Sequence, residues 1–351
     1  MNIISPNFFG HIFQILHLHV YMKFFISVLR CYCSLVVLSF NPLINSTTSF
    51  SSMEYNFIST ITVLFSMFVT QTTCHSDFPS LLLISFDGFR WDYLIKAKKA
   101  NKLTPNFDYF IANGVFVDNG VKNVYITKTF PNHFSIVTGL YEESHGLVAN
   151  EFYDPVKMEE ISIFAHTKEA YWFDNGTDEY NGYPEPIWLT NEKASGHYKR
   201  HSGIVFWPGS EAKGMTVDPD RFFYYDKAKN MSFTERIDIA IGWFLTEEKP
   251  INLGLIYFNE PDHTGHRVGP DAQEMMELIE ELDGVVGYLL TKLRQSNLIS
   301  KLNVIITSDH GMQYFDKVIE LDSCVDGSLY RNFGNGPVMN ILPNPGKSNV
   351  I

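Results

Sequence analysis

The stretch LLLISFDG, residues 81–88, decides how this chain is to be read. Six mainly apolar residues without alternation, closed by Asp-Gly, read as a strand buried on both faces that ends at a polar edge. The pattern recurs twice. LGLIYF at 253–258 is followed by Asn-Glu-Pro-Asp, and LNVIIT at 302–307 by Ser-Asp-His-Gly. A sheet with one wet face would alternate, so these runs predict an α/β protein with a mostly parallel sheet and helices on both faces. Between the last two runs, Met275, Leu278, Ile279, Leu282, Val286, Leu289 and Leu293 fall at helical spacing. They predict a covering helix, with Gly284 and Gly287 allowing close approach to the sheet.

With 351 residues the chain has room for one large domain or two small ones. Net charge is −12, with 27 Lys and Arg against 39 Asp and Glu and no basic run. That composition speaks against binding a nucleic-acid duplex, which needs clustered cations. It leaves room for a small phosphorylated substrate, because bound divalent metals reverse the local field.

The first 78 residues read as a leader region and residues 79–351 as the folded domain. Residues 8–41 are apolar but interrupted by His, Lys and Arg. A second apolar run, Phe57–Thr70, follows Met53 and ends in QTTCHS, the length and ending of a signal-peptide core over 53–76. Met53 is then the expected start and residues 1–52 an extension; the competing reading is a membrane anchor within 12–40. Sequons at Asn45, Asn175 and Asn230 suit a secreted or cell-surface chain. Cys324 is the lone cysteine after the leader, and in an exported protein a leftover cysteine implies a missing partner. The ending PGKSNVI suggests that the domain continues past Ile351.

Each buried run leads into an aspartate: Asp87, Asp262 and Asp309. In open α/β sheets ligands bind beyond the carboxyl ends of strands, so these side chains are expected to converge. Three anions in one pocket need compensation, and a metal supplies it. His310 follows Asp309, and His266 lies four residues after Asp262, giving the oxygen and nitrogen donors that zinc accepts. Pro261 and Gly265 predict a loop at 262–266, and His263 competes with His266. Against this stands the plain alternative that each aspartate caps a turn.

In ITKTFPNHFSIVTG, residues 126–139, Pro131 suits a first helical turn and Gly139 a helix end. A helix over 131–138 would aim its positive end near Thr129. Thr129 then either starts that helix or serves as a nucleophile activated by a metal.

The runs LLLISFDGFRWDYL, ITKTFPNHFSIVTGLYEESHGLVAN, EPIW, FWPGS, NEPDHTGHRVGP and NVIITSDHGM resemble the ectonucleotide pyrophosphatase/phosphodiesterase family, in the expected order from residue 80 to about 343. YEESHGLVAN and LDSCVD look most like its fourth and fifth members, single-domain surface proteins with a C-terminal membrane helix. The resemblance implies an alkaline-phosphatase-like fold, incomplete at its C-terminus, and two catalytic zinc ions. One is held by Asp87, Thr129, Asp309 and His310. The other is held by Asp262, His266 and a further histidine, which in the family comes after the point where these residues stop; the anchor helix and a partner for Cys324 are expected there too. The implied activity is extracellular cleavage of phosphodiester or pyrophosphate bonds in nucleotides or dinucleoside polyphosphates, through a phosphothreonine at Thr129. Asn150 falls on the family's phosphate-contacting asparagine, and Phe130 and Tyr225 where nucleotide-cleaving members hold the base. A lysine used by some of those members has no counterpart near Tyr183. The alternatives are a phosphodiesterase of choline or lipid head groups, and a surface binding protein that keeps the fold without turnover.

Overall fold

The three apolar runs form neighbouring strands of one sheet. The computed structural model describes residues 3–4, 80–154, 157–163, 184–194, 200–211, 221–224, 230–334 and 336–348. The signal-like run, the anchor alternative, the Asn45 and Asn175 sequons, Tyr183 and Tyr225 lie outside the described residues. In chain order come β1 (Ile3–Ile4), β2 (Ser80–Phe86), α1 (Tyr93–Lys99), α2 (Pro105–Asn113) and β3 (Val115–Phe116). Next are α3 (Thr129–Thr138), α4 (Glu142–His145), β4 (Glu151–Asp154), β5 (Glu159–Ser162), α5 (Ile187–Lys193), β6 (Ser202–Val205) and β7 (Phe222–Phe223). The remainder is α6 (Phe233–Leu245), β8 (Leu253–Phe258), α7 (Asp262–Val268), α8 (Gln273–Gln295), β9 (Leu302–Thr307), β10 (Tyr330–Phe333) and β11 (Asn340–Pro343).

The main sheet has the order β3-β1-β9-β2-β8-β6-β7. From β9 to β7 all pairings are parallel, whereas β1 runs antiparallel to both its neighbours. Because β2, β8 and β9 are parallel and in register, with Ser85 opposite both Tyr257 and Thr307, their carboxyl ends form one edge. The two-residue period of a strand then sorts the side chains. Leu82, Ile84, Phe86, Ile256, Phe258, Val304 and Ile306 pack with α1, α2, α6 and α8. Leu83, Leu253, Leu255 and Ile204 pack instead with Phe130, Phe134 and Val137 of α3 and with Trp188 and Trp207. Each large apolar side chain buried in these layers contributes about 1.5–3 kcal/mol. Ser85 and Asp87 share the α3 face, and that parity decides which helix can reach the site.

Helix α8 buries Met275, Ile279, Leu282, Val286, Leu289 and Leu293 of the stripe the spacing predicts, while Leu278 is only partly buried at its edge. Its glycines act otherwise than expected. A Cβ on Gly284 would meet nothing, and one on Gly287 would lie 2.6 Å from Asn106 Nδ2, so the close approach is to α2 and not to the sheet. Asp283, buried on the same helix, accepts from the Asn106 and Phe107 N–H groups at 3.0 and 2.8 Å. It thereby caps α2, whose own Thr104 makes no side-chain cap.

Two local expectations are corrected. Residues 262–268 form a helix and not a loop. Pro261 sits at its N-cap, where a missing N–H costs nothing, and Gly265 is where Met312 packs: a Cβ there would be 2.5 Å from Met312 Sδ. Helix α3 begins at Thr129, two residues before Pro131, and ends at Gly139 with φ 70° as expected. Pro131 is tolerated in the third position because the first four N–H groups of a helix have no partner within it. Among the described residues no helix is long and apolar enough to cross a membrane.

Candidate active site

At the carboxyl edge the chain leaves β2 through Asp87 and turns at Gly88, whose φ is +68°. The Gly88 N–H donates to Asp309 Oδ1 at 3.1 Å, and the Asp262 N–H donates to the Asp87 carbonyl at 2.9 Å. The three aspartates are therefore tied to one another through the backbone. Their side chains show a division of labour between oxygens. Asp87 Oδ2 accepts from the Tyr257 hydroxyl at 2.5 Å. Asp87 Oδ1, Asp309 Oδ2 and Asp262 Oδ1 are buried without a hydrogen-bond donor. An orphaned carboxylate oxygen is expensive in a protein interior, and three together need an explanation.

His310 supplies one. Its Nδ1 lies 2.9 Å from the Gly311 carbonyl, which can only accept, so the proton sits on Nδ1. Its Nε2 then turns toward Asp87 Oδ1 at 3.5 Å and Asp309 Oδ2 at 3.2 Å. A lone pair facing two carboxylates calls for a cation between them. Ligand atoms of Asp87, Asp262 and His310 all lie within 4.8 Å of one another, and this donor set suits zinc. Burial and the neighbouring Asp309 push the Asp87 carboxyl well above the ordinary carboxylate range. Burial pushes Asp309 up to about 7.

Helical geometry, not a loop, brings His266 to Asp262. The two are one turn apart on α7, with Nε2 3.5 Å from Oδ1, and the His266 side chain is 75% exposed. His266 is part of the cavity wall; His263 is exposed and is not. His145 is buried elsewhere, bonded to Ser135.

Thr129, Asn150, Asp262, His266, Asp309 and His310 line one open cavity of about 1930 Å³. Thr129 is the first residue of α3 and so stands at the positive end of that helix. Asn150 Oδ1 accepts from the Phe130 N–H at 3.1 Å, which orients the amide and leaves Nδ2 as its donor. Lys128, just before Thr129, also lines the cavity, and burial lowers its pKa. Arg90 donates to the Met312 carbonyl in the loop after His310 at 3.0 Å and to Asp271, between α7 and α8, at 2.6 Å, tying the two segments together. Phe130 is placed in the second apolar cluster at 5% exposure and is not part of the cavity wall.

Two residues escape the sequence reading. Tyr257 reaches Asp87, and His133 is fully buried with Nδ1 3.4 Å from Asp309 Oδ2. A signal was present: Ser85, Tyr257 and Thr307 are the polar-capable residues near the end of each apolar run, and register places them side by side.

Residues 81–350 match the family model for type I phosphodiesterase / nucleotide pyrophosphatase. The chain is 40% identical over 285 residues to human ectonucleotide pyrophosphatase/phosphodiesterase family member 5, covering 80% of this chain and 55% of that protein. It is 43% identical over 271 residues to the mouse bis(5'-adenosyl)-triphosphatase ENPP4, covering 76% and 55%. Among solved structures, murine ectonucleotide pyrophosphatase / phosphodiesterase 5, in an inactive form in complex with AMP, matches with TM-score 0.66 and 39% identity, covering 78% of this chain and 68% of that one. The chain thus spans about half the length of the curated relatives it matches. The parallel sheet, its edge of aspartates and these likenesses agree: the chain belongs to the type I phosphodiesterase/nucleotide pyrophosphatase family and has its alkaline-phosphatase-like fold.

Proposed function

We propose that the protein is an extracellular, zinc-dependent hydrolase of phosphodiester or pyrophosphate bonds in nucleotides or dinucleoside polyphosphates, with Thr129 as nucleophile. The observation that carries the reading is the set of orphaned oxygens on Asp87, Asp309 and Asp262 around His310, with Asp262, Asp309 and His310 lining the same cavity as Thr129 and Asp87 buried behind them. Asp87, Asp309, His310 and Thr129 would hold one zinc, and Asp262 and His266 would contribute to a second. Zinc bound there supplies Lewis-acid polarisation and lowers the pKa of a coordinated hydroxyl or water.

The residues do the rest. Thr129 Oγ attacks phosphorus, a P–O bond to the threonine forms, the bond to the leaving oxygen breaks, and the proton lost from Oγ ends on that leaving oxygen. Water then cleaves the phosphothreonine ester and returns the proton to Thr129. Asn150 Nδ2 donates to a non-bridging oxygen as its charge grows, and the N-terminus of α3 favours the same charge. Lys128 adds a cation at the cavity wall. Of the aromatic candidates for the base, Phe130 is 5% exposed in the second apolar cluster and Tyr225 lies outside the described residues, so the bond cleaved is proposed independently of the base.

The relatives named for bis(5'-adenosyl)-triphosphate hydrolysis favour a dinucleoside polyphosphate as first assay substrate. On the full chain loaded with zinc, Thr129→Ala abolishes release of nucleotide, Thr129→Ser keeps part of it, and acid quenching traps a nucleotidyl group on Thr129 by mass. Unchanged turnover in Thr129→Ala returns the threonine to a helix-starting role.

A further inference from the structure

We propose that Tyr257 is a positioning residue for the metal centre: its phenol holds one oxygen of Asp87 so that the other is aimed at the ion. The inference rests on the zinc reading above and extends it to a residue behind the ligands.

The geometry begins in the sheet. Tyr257 on β8 stands opposite Ser85 on β2, and Asp87 is two residues further along the same face. A phenol is long enough to cover that diagonal, and its O–H meets Asp87 Oδ2 at 2.5 Å in a buried setting. The other oxygen, Oδ1, is the orphan that faces His310 Nε2 at 3.5 Å. A carboxylate with both oxygens bare turns about its Cβ–Cγ bond; one with a single oxygen held presents the other in one direction.

The phenol is itself held. His133 and Phe206 meet the Tyr257 ring edge to face, at 5.1 and 5.0 Å between centroids and at 74° and 82°. The orientation of His133 follows from its partners. Nδ1 lies 2.8 Å from the Thr129 carbonyl and 3.4 Å from Asp309 Oδ2, both acceptors, so Nδ1 carries the proton. Nε2 then accepts from the Ser85 hydroxyl at 2.8 Å. One imidazole thus joins α3, at the residue proposed as nucleophile, to β2, while its ring braces Tyr257. A purely structural tyrosine would need a partner for its hydroxyl, but not that this partner be a ligand with its second oxygen left bare.

The test uses the full chain stripped with a chelator and titrated with zinc in competition with a chromogenic chelator. Tyr257→Phe weakens zinc binding by about 10–100-fold, the usual cost of losing an outer-shell partner. Turnover of Tyr257→Phe recovers as zinc is raised. In an Asp87→Asn background the same change has no further effect on affinity, because the oxygen it positions is no longer a ligand. Phe206→Leu, which keeps the phenol and loosens its ring, gives a smaller loss and serves if Tyr257→Phe does not fold. Zinc affinity at the wild-type level in both single variants overturns the inference and leaves the metal reading standing. A wild-type chain that takes up no zinc overturns the metal reading, and this inference with it.

Discussion

Gly88 shows how one backbone position organises the site. Its φ of +68° turns the chain immediately after Asp87, its N–H holds Asp309, and its missing side chain lets Asp262 come close. A Cβ at this position would lie 2.8 Å from Asp262 Cβ and 2.9 Å from Asp262 Cα. Backbone cannot yield as a flexible side-chain tip does, so Gly88→Ala separates Asp87 from Asp262. The expected result is a stability loss of about 1–3 kcal/mol in urea melts, as for overpacking, with zinc binding lost as well. Wild-type zinc affinity in Gly88→Ala would mean that the spacing of those two aspartates is not what holds the metal. Ser85 and Tyr257 sit one row behind, and their hydroxyls face inward because the α3 face of the sheet is polar at this depth.

At the scale of elements, α7 is the short helix that presents Asp262 and His266 on one side, and its position depends on contact with the His310 loop. Gly265 faces Met312 Sδ, 2.5 Å from where a Cβ would stand, and Met275 Cε at 3.2 Å. Gly284, in the middle of α8, is exposed and has nothing within reach of a Cβ. The two glycines therefore predict opposite outcomes for the same substitution. Gly284→Ala stabilises by about 0.4–1 kcal/mol, through helix propensity and a less free unfolded chain. Gly265→Ala meets only the tips of the Met312 and Met275 side chains, which can swing aside, so it destabilises less than Gly88→Ala, by about 1 kcal/mol, while shifting Met312 beside His310. Paired thermal melts and zinc titrations check both; equal effects would contradict the packing described for α7.

Over the whole molecule, proton and metal compete for the same oxygens. Asp309, raised by burial to about 7 from an ordinary 3.8, binds a proton more tightly folded than unfolded. Its contribution to the metal-free fold is complete below about pH 4 and is lost as pH rises through 7. His133 and His145, lowered by burial to about 3 and about 4, act with the opposite sign, and their contribution is lost as pH falls below about 6.5. The difference between zinc-loaded and chelated protein removes much of the histidine contribution common to both forms. That difference in melting temperature is expected to widen as pH rises from 6 to 8, because zinc needs the carboxylates ionised. A gap independent of pH would show that zinc does not bind at Asp87 and Asp309. The parallel strands, the covering helix and the aspartates at strand ends were legible in the sequence, because unbroken apolar runs and helical spacing are local patterns. The same holds for Gly139 as the end of α3, where a glycine supplies the left-handed turn. Pro261 and Gly265 suggest a loop because they break helices in isolation, whereas in the fold Pro261 stands at the N-cap of α7 and Gly265 faces Met312, 47 residues further on. Tyr257 and His133 were invisible for a related reason: a tyrosine in an apolar run reads as core until strand register sets it beside Asp87. The sequence by itself offered the candidate metal ligands and placed Asp87 and Asp309 just past strand ends. Only the tertiary structure decided which oxygen of each carboxylate is held by the protein and which is left bare, since that depends on donors brought in from other strands and helices.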